Sequence, residues 1–140
     1  MKKIILMLLL TSSITFLGTS CKKDKETEKT QKEKTLELLV SAKWYFQSYK
    51  EGDDTDNCFN NTDYWEFKSD GTFNTPWFDE KISFTLNEDG KTFNFKYFGY
   101  NLTGTIVSID ENNLKFTLSG EDWYTEEYTL AKTPAKPCIS

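Results

Sequence analysis

Three segments of the chain alternate apolar and polar residues with a period of two: Ile82, Phe84, Leu86; then Phe93, Phe95, Tyr97; then Leu114, Phe116, Leu118. In an extended strand this period sends successive side chains to opposite faces, so each segment has one buried and one wetted face. Carried along the chain, the pattern predicts strands over 43–50, 63–69, 72–77, 81–87, 91–98, 102–109, 114–119 and 124–132. A short apolar run at 36–40 predicts one or two helical turns covering the bottom of the domain. The links Ser69-Asp70-Gly71, Glu88-Asp89-Gly90 and Asp110-Glu111-Asn112-Asn113 carry the Asp-Gly and Asn signals of tight hairpins. Sequential antiparallel pairing follows. An all-β meander with one buried face closes most simply as an eight-stranded up-and-down barrel over 36–132, which leaves no exposed edge, followed by a tail at 133–140.

The first residues have another character. Met1-Lys2-Lys3 is basic, 4–10 is an apolar run too short to span a bilayer, and small residues follow up to Cys21, so 1–20 reads as a secretory signal peptide. Ser20-Cys21 resembles the end of a bacterial lipobox. That resemblance implies that Cys21 is the lipidated N-terminus of the mature protein, carrying palmitate-type chains that hold it in the bilayer, since two or more acyl chains anchor stably where one does not. Residues 21–35 are rich in Lys and acids and nearly free of apolar side chains, the composition of a disordered tether. Their position after Cys21 is similar to the charged export signals of Bacteroidota lipoproteins. The expected location is the outer membrane, on its periplasmic face or at the cell surface.

Charge and missing residue types exclude whole classes of function. The chain carries a net charge of −5, and within 36–132 eight Lys face eighteen Asp and Glu, a surface that repels nucleic acid. There is no His and no Arg, which removes imidazole bases, His-liganded metals and bidentate phosphate clamps. No Ser stands beside a base and no thiol beside a His, so the expectation is a protein that is not an enzyme, with no cofactor and no metal. Asp53, Asp54, Asp56 and Asn57 offer oxygen ligands but lack the central Gly and closing Glu of an EF-hand, and read as a solvated loop. Glu121-Asp122 and Glu126-Glu127 are adjacent pairs whose members point to opposite faces, and read as surface charge.

In an up-and-down barrel alternate connections share one end. The links 51–62, 78–80, 99–101 and 120–123 therefore gather at an open mouth, ringed by Trp77, Phe78, Phe98, Tyr100, Trp123 and Tyr124. These rings offer flat faces to a small apolar or amphipathic ligand or to a stacked glycan; the other reading is that some fold inward and plug the mouth. Inside, Trp44, Phe46, Trp65, Phe67, Phe73, Phe84, Phe93, Phe95 and Phe116 are bulky for a barrel of eight strands, whose interior is only just wide enough for side chains. A ligand-binding module and a filled barrel acting as an envelope interaction or accessory protein both remain open. Cys58 and Cys138, left once Cys21 is lipidated, are expected to pair in an oxidising envelope. The chain from 132 to 138 spans at most about 20 Å, so its tail must climb the outer wall to reach Cys58.

Leu38-Leu39, Ala42-Lys43-Trp44, Cys58, Tyr64-Trp65-Glu66-Phe67 and Asp70-Gly71-Thr72-Phe73 are similar to the lipocalin-like lipoproteins of Bacteroidota. The resemblance covers about 36–132 and implies a small calyx with Trp44 as the tryptophan at the barrel bottom, Ala42 standing where the Gly-x-Trp pattern has Gly. It names no ligand.

Overall fold

A computed structural model describes residues 27–138. The leader, Cys21 and the first tether residues lie outside the described residues. Helix α1 (Gln31–Leu39) begins five residues before the expected turns and takes in the end of the segment read as a tether. Its start is fixed by a capping box: Glu33 N–H donates to Thr30 Oγ1 and Thr30 N–H donates to Glu33 Oε2, satisfying two of the free donors of the first turn. The helix covers the closed rim. A Cβ placed on Gly90 would lie 2.8 Å from the backbone of Gln31, and Trp44 Nε1 donates to Leu39 O at 2.8 Å, tying the helix end to the barrel floor.

The strands are β1 (Lys43–Glu51), β2 (Asp54–Asp56), β3 (Tyr64–Lys68), β4 (Thr72–Asn74), β5 (Ile82–Leu86), β6 (Thr92–Tyr97), β7 (Tyr100–Ile109), β8 (Asn113–Gly120) and β9 (Trp123–Ala131). All pairings are antiparallel, and β9 returns to β1 to close the sheet. Strand β9 occupies one edge of β1 from Tyr45 to Glu51, so β2, opposite Tyr49 to Glu51, and β3, opposite Lys43 to Tyr45, share the other edge. Together β2 and β3 are one barrel strand interrupted by an excursion at 57–63. The barrel is therefore eight-stranded, as the alternation predicts, although the expected loop 51–62 contains a strand.

At the closed rim each tight turn is held by an aspartate. Asp70 Oδ1 accepts from Thr72 N, Asp89 Oδ1 from Lys91 N at 2.7 Å, and Asp110 Oδ1 from Asn112 N at 2.7 Å. Gly71 and Gly90 supply the positive φ, +79° and +64°, that an Asp-Gly turn requires. The Lys81 ammonium at 2.8 Å, with the Thr72 hydroxyl, holds the Asp70 carboxyl down to about 2.

The interior is filled by rings that meet across the axis. Trp65 reaches Phe73 at 4.6 Å, Phe116 at 5.2 Å and Tyr128 at 5.6 Å between centroids, and Phe67 meets Phe93 at 5.5 Å. The nine large aromatics expected inside are all buried. Trp65 Nε1 lies among them without a hydrogen-bond partner. Outside the wall, Cys58 and Cys138 are joined with Cα atoms 5.6 Å apart, and Gln47 Nε2 on β1 donates to Thr133 O at 2.9 Å, so the tail does climb the outer face.

Candidate functional site at the barrel mouth

Two β-bulges decide which side chains enter the mouth. Between β1 and β9 the register runs Phe46↔Leu130 and then Ser48↔Thr129, leaving Gln47 as an extra residue. Below it Trp44 and Phe46 face inward; above it the phase is reversed and Tyr49 and Glu51 do, opposite the inward Tyr128 and Glu126. Between β8 and β9 the register runs Leu118↔Glu126 and then Gly120↔Trp123, so Tyr124 and Thr125 together oppose Ser119. Trp123 is thereby turned in and Tyr124 turned out, 77 % exposed.

Glu126 corrects the reading of the 126–127 pair as surface charge, for it is only 8 % exposed. It lies on the inward face with Tyr128 and Leu130. The Tyr128 hydroxyl donates to its Oε2 at 2.6 Å, and the Tyr49 hydroxyl stands 3.2 Å from its Oε1 and 2.9 Å from Glu51 Oε2. Tyr49 has one proton for two carboxylates. Burial, and after it the charge of Glu51, pushes the Glu126 carboxyl above its ordinary 4.5 against the pull of the Tyr128 and Tyr49 phenols and the Trp123 indole. Burial and these same carboxylates push the phenols of Tyr49 and Tyr128 well above the usual range.

Above Glu126 opens a cleft of about 320 Å³ lined by Glu51, Tyr100, Asp122, Trp123, Tyr124 and Glu126. Tyr100 and Trp123 meet edge to face at 5.4 Å, and Trp123 Nε1 is buried near Glu126 with no hydrogen-bond partner. Of the six rim aromatics picked out from the sequence, these three, Tyr100, Trp123 and Tyr124, come together here. Trp77 and Phe78 go elsewhere. The β4 strand ends at Asn74, short of the expected 77, Thr75 is buried, and the chain turns both rings inward. Trp77 stacks on Phe46 at 4.4 Å, and Phe78 lies on Tyr97 at 3.9 Å with its edge toward Trp65. They plug the rest of the mouth. Phe98 stands by itself at the β6–β7 turn, with φ +45°, 75 % exposed and touching Tyr97.

Two other places have less to offer a ligand. The acidic segment near Asp54 and Asp56 is strand β2, exposed along its length, with Asp56 Oδ1 accepting from Cys58 N–H at 2.8 Å. A groove of about 640 Å³ crosses the outer face of β5, β6 and β7, where the Asn94 amide is already engaged, donating to Asn87 at 3.0 Å and accepting from Thr103 at 2.8 Å.

Sequence reasoning missed Tyr49, Glu51 and Glu126. For Glu126 the signal was present, since it follows the period of two back from Leu130 and Tyr128. For Tyr49 and Glu51 it was absent, because their facing depends on the bulge at Gln47. No family model, curated protein or solved structure matches the chain.

Proposed function

We propose that this chain is a lipid-anchored, non-enzymatic binding protein of the bacterial outer membrane that holds a small amphipathic ligand at the mouth of a lipocalin-like barrel. The observation that carries this reading is the cleft over Glu126, where aromatic walls meet a polar floor above an interior already filled with rings. The ligand sits at the rim and is not swallowed. That α1 enters at the closed rim, the end opposite the mouth, supports a mouth turned away from the anchor. The filled interior favours a second reading, an interaction or accessory protein working through its outer surface.

Titration of the mature protein with a panel of lipids, haem and glycans, followed by tryptophan fluorescence, separates the two. The expected result is saturable binding of one class, weakened about tenfold or more by Trp123→Ala. A flat response across the panel supports the accessory reading. For the anchor, Cys21→Ala is expected to abolish palmitate labelling and release the protein from membranes; a variant that stays in the membrane fraction contradicts lipidation.

A further inference from the structure

We infer that the mouth cleft takes an organic ammonium ion, its nitrogen held over the carboxylates of Glu51 and Glu126 and its carbon surface laid against Trp123, Tyr100 and Tyr124. This rests on the mouth being the binding site and adds the charge and shape of what binds there.

The first observation is a pairing that a barrel wall ordinarily avoids. Glu51 and Glu126 are direct cross-strand partners, both turned inward, and like charges opposite one another destabilise a sheet. The bulge at Gln47 brings Glu51 into that arrangement. Glu126 is nearly fully buried, and the groups that face it are two phenol hydroxyls and the Trp123 indole N–H, which donate but bring no positive charge. Buried carboxylates are ordinarily paired with a cation. Here the ion pairs among the described residues join Lys29, Lys32, Lys34, Lys68 and Lys81 to other acids, and no Lys lines the cleft. With Asp122 a third carboxylate faces the same space.

The walls select the kind of cation. A bare divalent ion needs roughly six to eight oxygen ligands, whereas half the residues lining this cleft are aromatic. Aromatic faces are negative and attract ammonium groups, most strongly where water is excluded. Tyr100 and Trp123, inclined at 62°, form two sides of a corner, and the exposed Tyr124 is placed to form a third. An anionic head group would meet three carboxylates, and a neutral one would leave them uncompensated.

A second observation is the Trp123 indole N–H, a buried atom that faces the Glu126 carboxyl without reaching it in good hydrogen-bond geometry. Leaving a buried donor unmade is costly, so the group that completes the site brings an oxygen to it. A nitrogen cation with a nearby hydroxyl or carbonyl oxygen, as in an amino alcohol or amino sugar, meets both demands.

The test compares choline with its neutral isostere, in which carbon replaces the quaternary nitrogen, titrated into the full mature protein by calorimetry and tryptophan fluorescence. Choline is expected to bind saturably and about tenfold or more tightly than the isostere. Glu126→Gln should remove that preference while leaving the weak binding of the isostere. Glu51→Gln, at a less buried position, should reduce the preference in the same direction. Equal binding of the two probes, a preference that survives both variants, or no binding of choline overturns the inference. The mouth reading stands or falls separately: it survives if choline or any ligand of the panel, charged or uncharged, binds in a Trp123-dependent manner, and fails if none does.

Discussion

Gly104 and Phe93 are paired across β7 and β6, and a Cβ on Gly104 would come within 2.1 Å of the Phe93 ring. Phe93 is fully buried among Phe67, Phe95 and Phe116, with nowhere to retreat. Gly104→Ala is therefore expected to cost about 1–3 kcal/mol in urea unfolding, and Phe93→Leu in the same chain to return part of it. A Gly104→Ala protein as stable as the wild type would show that the barrel has room to spare. Glu126 makes a prediction in pH. Its folded value lies above its unfolded one, so its contribution to stability is fully present below the unfolded carboxyl range near 4.5 and is lost as pH rises through the folded value. The groups facing it are Tyr49 and Glu51 from β1, Tyr128 and Trp123 from β9, and Asp122 from the turn between β8 and β9. Glu126→Gln should grow more stable relative to wild type between pH 4 and pH 7, measured by unfolding midpoints; a difference independent of pH would mean that the carboxyl is not perturbed. Asp70 runs the other way, contributing stability above its ordinary 3.8 that is lost as pH falls toward 2. The period of two made the buried Phe and Trp side chains legible. It also marks Glu126, whose facing is decided by Tyr128 two positions on and not by its neighbour Glu127.

Helix α1 has nine residues, too few to be stable alone, and depends on its cap and on the barrel floor beneath it. Thr30→Ala removes the acceptor for Glu33 N–H and is expected to lower stability by about 1 kcal/mol and to speed amide exchange in the first turn. Unchanged exchange would place the start of the helix under tertiary control alone. The Thr30-x-x-Glu33 signature is in the sequence, but the Lys-rich composition around it points to a tether. The tight turns were legible because Asp-Gly and Asn have one economical use between alternating strands. The bulges were not, because Gln47 and Thr125 carry no mark that separates an extra residue from a paired one. Strand β2 was hidden for a related reason: its Asp54-Thr55-Asp56 is exposed and polar, so nothing in its pattern distinguishes a strand from a solvated loop.

The molecule is closed in two ways, by the β1–β9 ladder and by the tail fastened over it through Cys58 and Cys138. The bridge closes a loop with a sequence separation of 80, which on the chain-entropy account is worth about 4 kcal/mol through the unfolded state. Cys138→Ser is expected to lower the urea midpoint accordingly while leaving the far-ultraviolet spectrum of the barrel intact; an unchanged midpoint would mean that the strap adds nothing. This path was legible because the reach of the tail matched the height of one strand. The division of the mouth into plug and cleft was not, since it follows from where β4 ends and where β9 bulges. The four tryptophans report on that division directly: Trp44 marks the floor, Trp65 the filled centre, Trp77 the plug and Trp123 the cleft. A ¹H–¹⁵N spectrum of their indole N–H groups, recorded while choline or whichever ligand of the panel binds is added, should show Trp123 shifting strongly and Trp77 weakly, with Trp44 and Trp65 unmoved. A ligand that shifts Trp65 or Trp44 while Trp123 stays still would contradict a binding site confined to the rim.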